Sequence, residues 1–262
     1  MSSSNTSAHA NANPNAKQKI LARLGAPLKR DLNLQEPQAR PVLEQILFAI
    51  VREGVSREVA DKAFERLLQD HFDLNEIRVS TAREAADSLR ALPQGFDRAA
   101  RLISVLQELF ETTFGFDLES LAKKGLKLAE KQLERFEGTT PFVVAFIVQN
   151  ALGGHAIPLD ADMRRCLERL KVISATATPA ETQAMLEHQV PKAKGPLFFE
   201  ALSAVAHQFC HEQHPKCVSC PLLDSCLTGQ RLKSRKNARP QAKAPTKPAR
   251  SAAGLKKAKA HK

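Results

Sequence analysis

The sequence contains no tyrosine and no tryptophan, so its aromatic contacts must come from 13 phenylalanines. No stretch approaches the roughly 18–20 consecutive apolar residues of a membrane-spanning helix, so we expect no association with a membrane. Residues 1–16 contain no lysine, arginine, aspartate or glutamate. A secretory signal needs a basic start and a mitochondrial presequence needs arginines. We therefore expect residues 1–16 to be disordered and the protein to be cytosolic.

The C-terminal tail, residues 230–262, carries all of the excess positive charge of the chain. Of the 39 lysines and arginines, 12 lie in residues 231–262, which contain no acidic residue; the remaining 27 face 28 acidic residues. Alanine and the prolines Pro240, Pro245 and Pro248 oppose helix propagation. We predict a disordered basic tail that attracts nucleic-acid phosphates, with a solubilising tail as the alternative.

The body of the chain has the periodicity of helices nearly throughout, and no convincing run of alternating strand residues. Ser56 is a predicted N-cap, and Thr81 with Glu84 forms a predicted capping box. We therefore predict an all-α fold whose ordered structure ends near Gly229. The predicted helices cover residues 42–51, 56–71, 81–92, 96–110, 118–123, 125–136, 141–152, 160–170, 178–190 and 196–210.

Four cysteines form a cluster, with the spacing Cys210-x6-Cys217-x2-Cys220-x5-Cys226, while Cys166 stands apart. Clustered thiols in a cytosolic chain indicate metal ligands more than disulfides. Zinc sites usually take two cysteine pairs separated by a longer insert, whereas here a helix end and one compact loop supply the ligands. The pattern favours an iron–sulfur cluster, with zinc as the alternative; Cys166 is predicted to be a core thiol.

The run KCVSCPLLDSC, from Lys216 to Cys226, and the spacing to Cys210 resemble the iron–sulfur loop of endonuclease III and the adenine-DNA glycosylases. The resemblance implies a [4Fe–4S] cluster held by the four cysteines. In that family the cluster is mostly structural and pins a loop whose basic residues approach a DNA phosphate. Lys216 and His214 are the matching residues, and for His214 a solvated loop position is the alternative.

The segment Leu133–Leu170 resembles the helix–hairpin–helix motif of the same family. Gly138 matches the first glycine of the hairpin and Thr140 the second, with Thr139 between them, so the resemblance implies that these residues bind a phosphate through backbone N–H groups. Thr140 is a predicted N-cap, and Pro141 at the first helical position removes one donor. Gly-Thr-Thr-Pro is also an ordinary helix start.

The family's catalytic aspartate matches Asp160, which could stabilise positive charge at C1′ or activate a water. Asp160 opens a predicted helix, so an N-cap role is the alternative. The lysine nucleophile of the bifunctional members matches Phe142, which excludes strand cleavage by that route. In the second helix, Val51 and Leu47 match positions that are polar in the family.

The resemblance covers roughly Lys17 to Gly229 and implies two lobes. We expect residues 40–150 to form a central lobe with the hairpin, and residues 17–39 with 151–229 to form the iron–sulfur lobe. Three hypotheses remain: a monofunctional DNA glycosylase, a non-catalytic glycosylase-like DNA-binding module, and an iron–sulfur protein unconnected with DNA. The first two imply double-stranded DNA as the partner of a monomer.

Overall fold

The structure, a computed structural model, describes residues 14–35 and 37–238. Within these residues it has fourteen α-helices, three short 3-10 turns and no strand, and the predicted all-α fold is confirmed. The helices are α1 Pro14–Arg23, α2 Ala26–Asp31, α3 Val42–Arg52, α4 Arg57–Asp70, α5 Leu74–Val79, α6 Ala82–Ser88, α7 Gly95–Thr113, α8 Ser120–Lys123, α9 Leu126–Leu133, α10 Pro141–Asn150, α11 Ala161–Arg169, α12 Pro179–Gln189, α13 Gly195–Gln208 and α14 Leu227–Ala238. The 3-10 turns are Lys192–Lys194, Cys217–Ser219 and Leu223–Ser225.

Helix α3 is the centre of the first group of helices. It is apolar on nearly every side, and a helix of that kind is stable only when neighbours surround it. It packs against α4, α7 and α10, and Phe48 meets the ring of Phe64 edge-on at 5.5 Å. The end of α3 therefore has a fixed position beside the start of α10.

Helix α13 is the corresponding centre of the second group. It packs against α2, α10 and α11, and α14 packs against α11 and the two 3-10 turns of the cysteine loop. The contact between α10 and α13 joins the groups, and one hydrophobic cluster runs from Ile20 to Leu222. On this packing we infer the two lobes expected from the sequence, with α3–α10 in one and α1, α2 and α11–α14 in the other.

Both ends of the ordered body differ from the expectation. We expected disorder from residue 230 onwards, and this was wrong for residues 230–238, which continue α14. The first proline of the tail is Pro240, so nothing before it prevents helix propagation. Similarly, α1 begins at Pro14, inside the segment expected to be disordered. Residues 1–13 and 239–262 lie outside the described residues.

No helix in the described part of the chain is both long and apolar enough to cross a bilayer.

Candidate functional site

The four clustered cysteines lie in the short loop between α13 and α14. Cys210 follows the end of α13, Cys217 opens the first 3-10 turn, Cys220 follows that turn, and Cys226 precedes α14. All four are partly buried, whereas Cys166 is buried in the core as predicted. The Gly229 N–H donates to Cys226 Sγ at 3.3 Å. Hydrogen bonds to sulfur suit thiolate ligands, whose charge they help to balance.

Two arginines of α11 hold the start of the cysteine loop. Arg165 donates to the Cys210 carbonyl through Nε at 3.1 Å and Nη2 at 2.9 Å. Arg169 Nη1 donates to the His211 carbonyl at 2.7 Å and lies 3.5 Å from Cys210 Sγ, and Nη2 donates to the Glu212 carbonyl at 3.1 Å. These residues were not predicted from the sequence, where only their four-residue spacing on one helix face would have drawn attention to them.

The thiols of the loop titrate differently. The pKa of Cys210 is lowered to about 6 by a hydrogen bond with Cys166 and, against the effect of burial, by Arg169. Burial raises the pKa of Cys220 to about 11. A metal centre that takes all four as thiolates therefore has to displace protons as it binds.

The donor set suits a metal centre that takes soft thiolate ligands. Zinc binds such ligands around one ion, and a [4Fe–4S] cluster spreads four of them over four irons. Four half-buried cysteines on one loop, with N–H groups aimed at sulfur, fit thiolate ligands. No three His, Cys, Asp or Glu side chains in the described residues are already placed around an ion position, and the [4Fe–4S] cluster remains a proposal.

The predicted hairpin has the backbone of a tight turn. Gly138 has φ +103°, and a Cβ there would lie 2.7 Å from the Arg101 carbonyl oxygen, so only glycine fits. Arg101 Nε donates to the Gly138 carbonyl at 2.8 Å. Thr139 turns inward, because its hydroxyl donates to the Leu133 carbonyl at 2.8 Å. The turn is thus fixed against α7 on one side and α9 on the other.

Thr140 is the N-cap of α10, as predicted. Its hydroxyl accepts the Val143 N–H at 3.2 Å and donates to Glu53 Oε1 at 3.0 Å. The other oxygen of Glu53 accepts from Arg101 Nη2 at 2.8 Å. The carboxylate at the end of α3 therefore links the hairpin to α7 and is itself neutralised by the Arg101 guanidinium.

Asp160 is the N-cap of α11, as the alternative interpretation required. Its Oδ1 accepts the Met163 N–H at 2.8 Å, and its Oδ2 accepts from His207 Nε2 at 3.0 Å. The residue is only 8% exposed. Burial alone would raise the pKa of this carboxyl, but the hydrogen bond and charge of His207, the Met163 N–H and the more distant Arg52 together lower it. Asp160 is therefore held as a carboxylate.

The sequence is similar to that of a known endonuclease III. No family model matches the sequence. Endonuclease III of Bacillus subtilis (strain 168) is 25% identical over 176 residues, which cover 59% of this chain and 80% of that protein.

Solved structures share the fold. A trapped endonuclease III–DNA covalent intermediate has a TM-score of 0.64 at 18% identity, and a thermostable thymine-DNA glycosylase has 0.61 at 17%; each covers 83% of this chain and 98% of its own. The H. pylori 3-methyladenine DNA glycosylase has a TM-score of 0.52 at 17% identity, covering 72% of this chain and 95% of its own. At these identities the likeness establishes the helical fold.

At the position matched to the family lysine, the structure has a buried phenyl ring. Phe142 is 3% exposed. Its ring lies 6.1 Å from that of Phe146, nearly parallel, and 6.1 Å from that of Phe199 on α13. The first turn of α10 therefore forms part of the contact between the two groups of helices, and residue 142 supplies no amine nucleophile.

The end of α3 also differs from the sequence-based match to the family. Val51 and Leu47, the residues matched to polar family positions, are both fully buried, so neither can reach a ligand. Glu53, which follows the last residue of α3, is the carboxylate beside the hairpin, and it was not singled out in the sequence.

A small polar cavity lies between α3 and α13. Its volume is about 210 Å³, and Arg52 and Glu200 contribute to its walls. Arg52 is 1% exposed; its Nη2 donates to Ser203 Oγ at 2.7 Å and lies 3.5 Å from Glu200, while its Nε has no hydrogen-bond partner. The buried guanidinium of Arg52 therefore joins α3 to α13.

Lys216 and His214, the basic loop residues matched to the family, are both exposed. The Lys216 backbone N–H donates to the Phe209 carbonyl at 2.8 Å, which ties the loop to the end of α13 and leaves the ammonium group outside. His214 has φ +52° at the loop tip. Both side chains are therefore accessible to a phosphate, and their role in DNA binding stays a prediction.

Proposed function

We propose that this protein is a monofunctional DNA glycosylase of base-excision repair, which hydrolyses the N-glycosidic bond and leaves the strand intact. The observation that carries the proposal is the pairing of a retained carboxylate with a lost amine. Asp160 is held ionised at the start of α11, while Phe142 is buried at the lysine position. The relatives named above include a thymine-DNA and a 3-methyladenine DNA glycosylase.

Each part of the site has a place in this reaction. A base attacked inside a duplex must first be turned out of the stack. As the bond to the base breaks, positive charge develops at C1′ of the sugar, and a carboxylate fixed nearby stabilises it. Asp160 supplies that carboxylate. The Met163 N–H donates to one of its oxygens and His207 Nε2 donates to the other, which fixes its orientation.

The proposed partner is double-stranded DNA, bound by a monomer at Gly138, Thr139, Thr140 and Lys216. Backbone N–H groups at the start of a helix attract phosphates. The Thr139 N–H already donates to the Phe136 carbonyl and Pro141 has none, so this hairpin has fewer free donors than a Gly-x-Gly turn. Positive charge elsewhere, on Lys216 and in the basic tail, is expected to compensate.

The four cysteines would hold a [4Fe–4S] cluster, whose contribution is to fix the loop between α13 and α14. Arg165 and Arg169 already attach the first part of this loop to α11. Because Asp160 is the N-cap of α11, the position of the loop and the position of the catalytic carboxylate both depend on this helix. Loss of the cluster is therefore expected to make the loop and the start of α11 less ordered.

A non-catalytic DNA-binding module is the second candidate function. The observation in its favour is that apolar, buried residues occupy the positions matched to functional polar residues of the family, namely Leu47 and Val51 on α3 and Phe142 on α10. This candidate predicts DNA binding without any product.

The deciding experiment incubates the protein with duplexes that carry a panel of damaged and mismatched bases. Half of each sample is treated with hot alkali, and Asp160→Asn is assayed in parallel. Breaks that need alkali and are absent in the variant would support the monofunctional glycosylase. Breaks without alkali would refute it in favour of a lyase, and intact binding without product would favour the non-catalytic module.

The basic tail has its own test. Truncation after residue 238, which spares α14, should weaken DNA binding and reduce the slope of log K against log salt concentration, because fewer counterions are released. An unchanged slope would contradict a role for the tail in binding.

A further inference from the structure

We propose that His207 is the positioning residue of the site, which fixes the orientation of the Asp160 carboxylate; its catalytic meaning rests on the proposed function. His207 lies in the last turn of α13. It was not singled out in the sequence, where it stands three residues before Cys210 as one of eight histidines.

The imidazole bridges two carboxylates at the start of α11. Nε2 lies 3.0 Å from Asp160 Oδ2, and Nδ1 lies 3.3 Å from Asp162 Oδ2. A carboxylate only accepts hydrogen bonds, so Nε2 is the donor to Asp160, while Nδ1 lies near the Asp162 carboxylate. The side chain is 5% exposed, as is that of Asp160, so water screens this contact little.

The location of His207 on α13 is unusual for a polar residue. The helix is otherwise largely apolar and buried, and its buried polar residues, Glu200 and Ser203, lie on the same face at helical spacing. That face meets Arg52 of α3 at Glu200 and Ser203, and meets α11 at His207. Glu200, Ser203 and His207 therefore form a row along the boundary between the two groups of helices, and the last of them contacts the catalytic carboxylate.

The contact limits what Asp160 can do. A carboxylate has about four acceptor positions, and the Met163 N–H and His207 use one on each oxygen. Because both hydrogen bonds favour the ionised form, the carboxylate is a weak proton acceptor. We therefore infer that Asp160 acts by stabilising positive charge at C1′, more than by removing a proton from water.

Two amide variants separate positioning from simple structural support. In His207→Gln the side-chain amide nitrogen is as many bonds from Cβ as Nε2, so it can still donate to Asp160. In His207→Asn the amide nitrogen matches Nδ1 and can donate only toward Asp162. Both variants replace the imidazole with a neutral amide. His188→Asn, at an exposed position on α12, is the matched control for a histidine-to-asparagine change.

The measurements are the single-turnover excision rate, on the duplex that the wild-type protein cleaves, and the affinity for a duplex with a stable abasic-site analogue. We expect His207→Asn to lower the excision rate about 10- to 100-fold. The rate of His207→Gln should be about tenfold higher than that of His207→Asn, and the affinity for DNA should change little in either variant. His188→Asn should match the wild type. Equal rates for the Gln and Asn variants would overturn the proposal.

A double-mutant cycle with Asp160→Asn, measured by urea unfolding, keeps the proposal testable if the wild-type protein excises no base. In that event the glycosylase function fails by itself. Coupling between residues 207 and 160 that survives in His207→Gln and is absent in His207→Asn would still support the positioning contact. The absence of coupling in both variants would overturn it.

Discussion

Restoring the family lysine, by Phe142→Lys, should fail to create a strand-cleaving enzyme and should instead destabilise the fold. Phe142 is 3% exposed, and its ring contacts Phe146 within α10 and Phe199 across the joint to α13. An ammonium group at this position would have to lose its water or pull the first turn of α10 away from α13. Neither outcome places an amine where it could attack a DNA sugar.

The cost of Phe142→Lys follows from what the ring now contacts. Removal of a buried phenylalanine side chain typically costs about 3–5 kcal/mol, which includes aromatic pairs worth about 0.5–1.5 kcal/mol each. The lysine stem recovers part of this burial, but desolvation of the ammonium opposes the gain and lowers its pKa. We therefore expect a net loss of about 3–5 kcal/mol, against about 1.5 kcal/mol for the control Phe142→Leu.

Urea unfolding and borohydride trapping on a duplex with an abasic site would measure both effects. We expect a lower urea midpoint for Phe142→Lys and no covalent protein–DNA product above the wild-type background. A variant with wild-type stability and an efficiently trapped complex would refute the reasoning. It would mean that residue 142 faces the cleft and that the aromatic cluster does not depend on it.

Three further substitutions test the hairpin, the carboxylate and the joint between the groups of helices. Gly138→Ala should cost about 1–3 kcal/mol and weaken DNA binding, because a Cβ would meet the Arg101 carbonyl at 2.7 Å; unchanged stability and anisotropy titrations would contradict this. The lowered pKa of Asp160 stabilises the fold above the unfolded-state pKa of about 3.9, and this stabilisation is lost as the pH falls through the folded-state pKa. The difference in unfolding free energy between wild type and Asp160→Asn should therefore be present at pH 7 and shrink below about pH 4. Arg52→Met should cost about 3–5 kcal/mol in urea unfolding, because it leaves Glu200 buried with a weaker partner; a loss below 1 kcal/mol would show that Arg52 and Glu200 are not coupled.

Those parts of the fold that depend on local sequence were predictable. The apolar runs of α3, α10 and α13 gave helices within a few residues of their observed bounds, and the capping box at Thr81 is present. Helix α5 was missed, because it has six residues and its start depends on Asp73, whose carboxylate accepts the Glu76 N–H at 2.8 Å. A helix that short has too little periodicity to stand out from a loop.

The candidate site divides in the same way. Thr140 and Asp160 were predictable as N-caps, because a cap depends on residues within one helical turn. Arg52 and His207 were not, because their partners lie far away in the sequence: Arg52 contacts Ser203, 151 residues on, and His207 contacts Asp160, 47 residues back. A histidine within a helix gives no signal of its role in a single sequence. Only the fold shows that His207 contacts the Asp160 carboxylate.

The double role of Asp160 determines which substitution can test its chemistry. Its Oδ1 caps α11 and its Oδ2 faces His207, so Asp160→Ala would remove the cap as well as the charge and would cost about 0.5–2 kcal/mol of stability. A loss of activity in that variant could come from a displaced α11, and with it a displaced cysteine loop. Asp160→Asn keeps an oxygen that can accept the Met163 N–H, and it removes the charge together with the acceptor that faces His207. An Asn variant that folds with its full iron content, yet excises no base, would therefore assign the loss to the carboxylate itself.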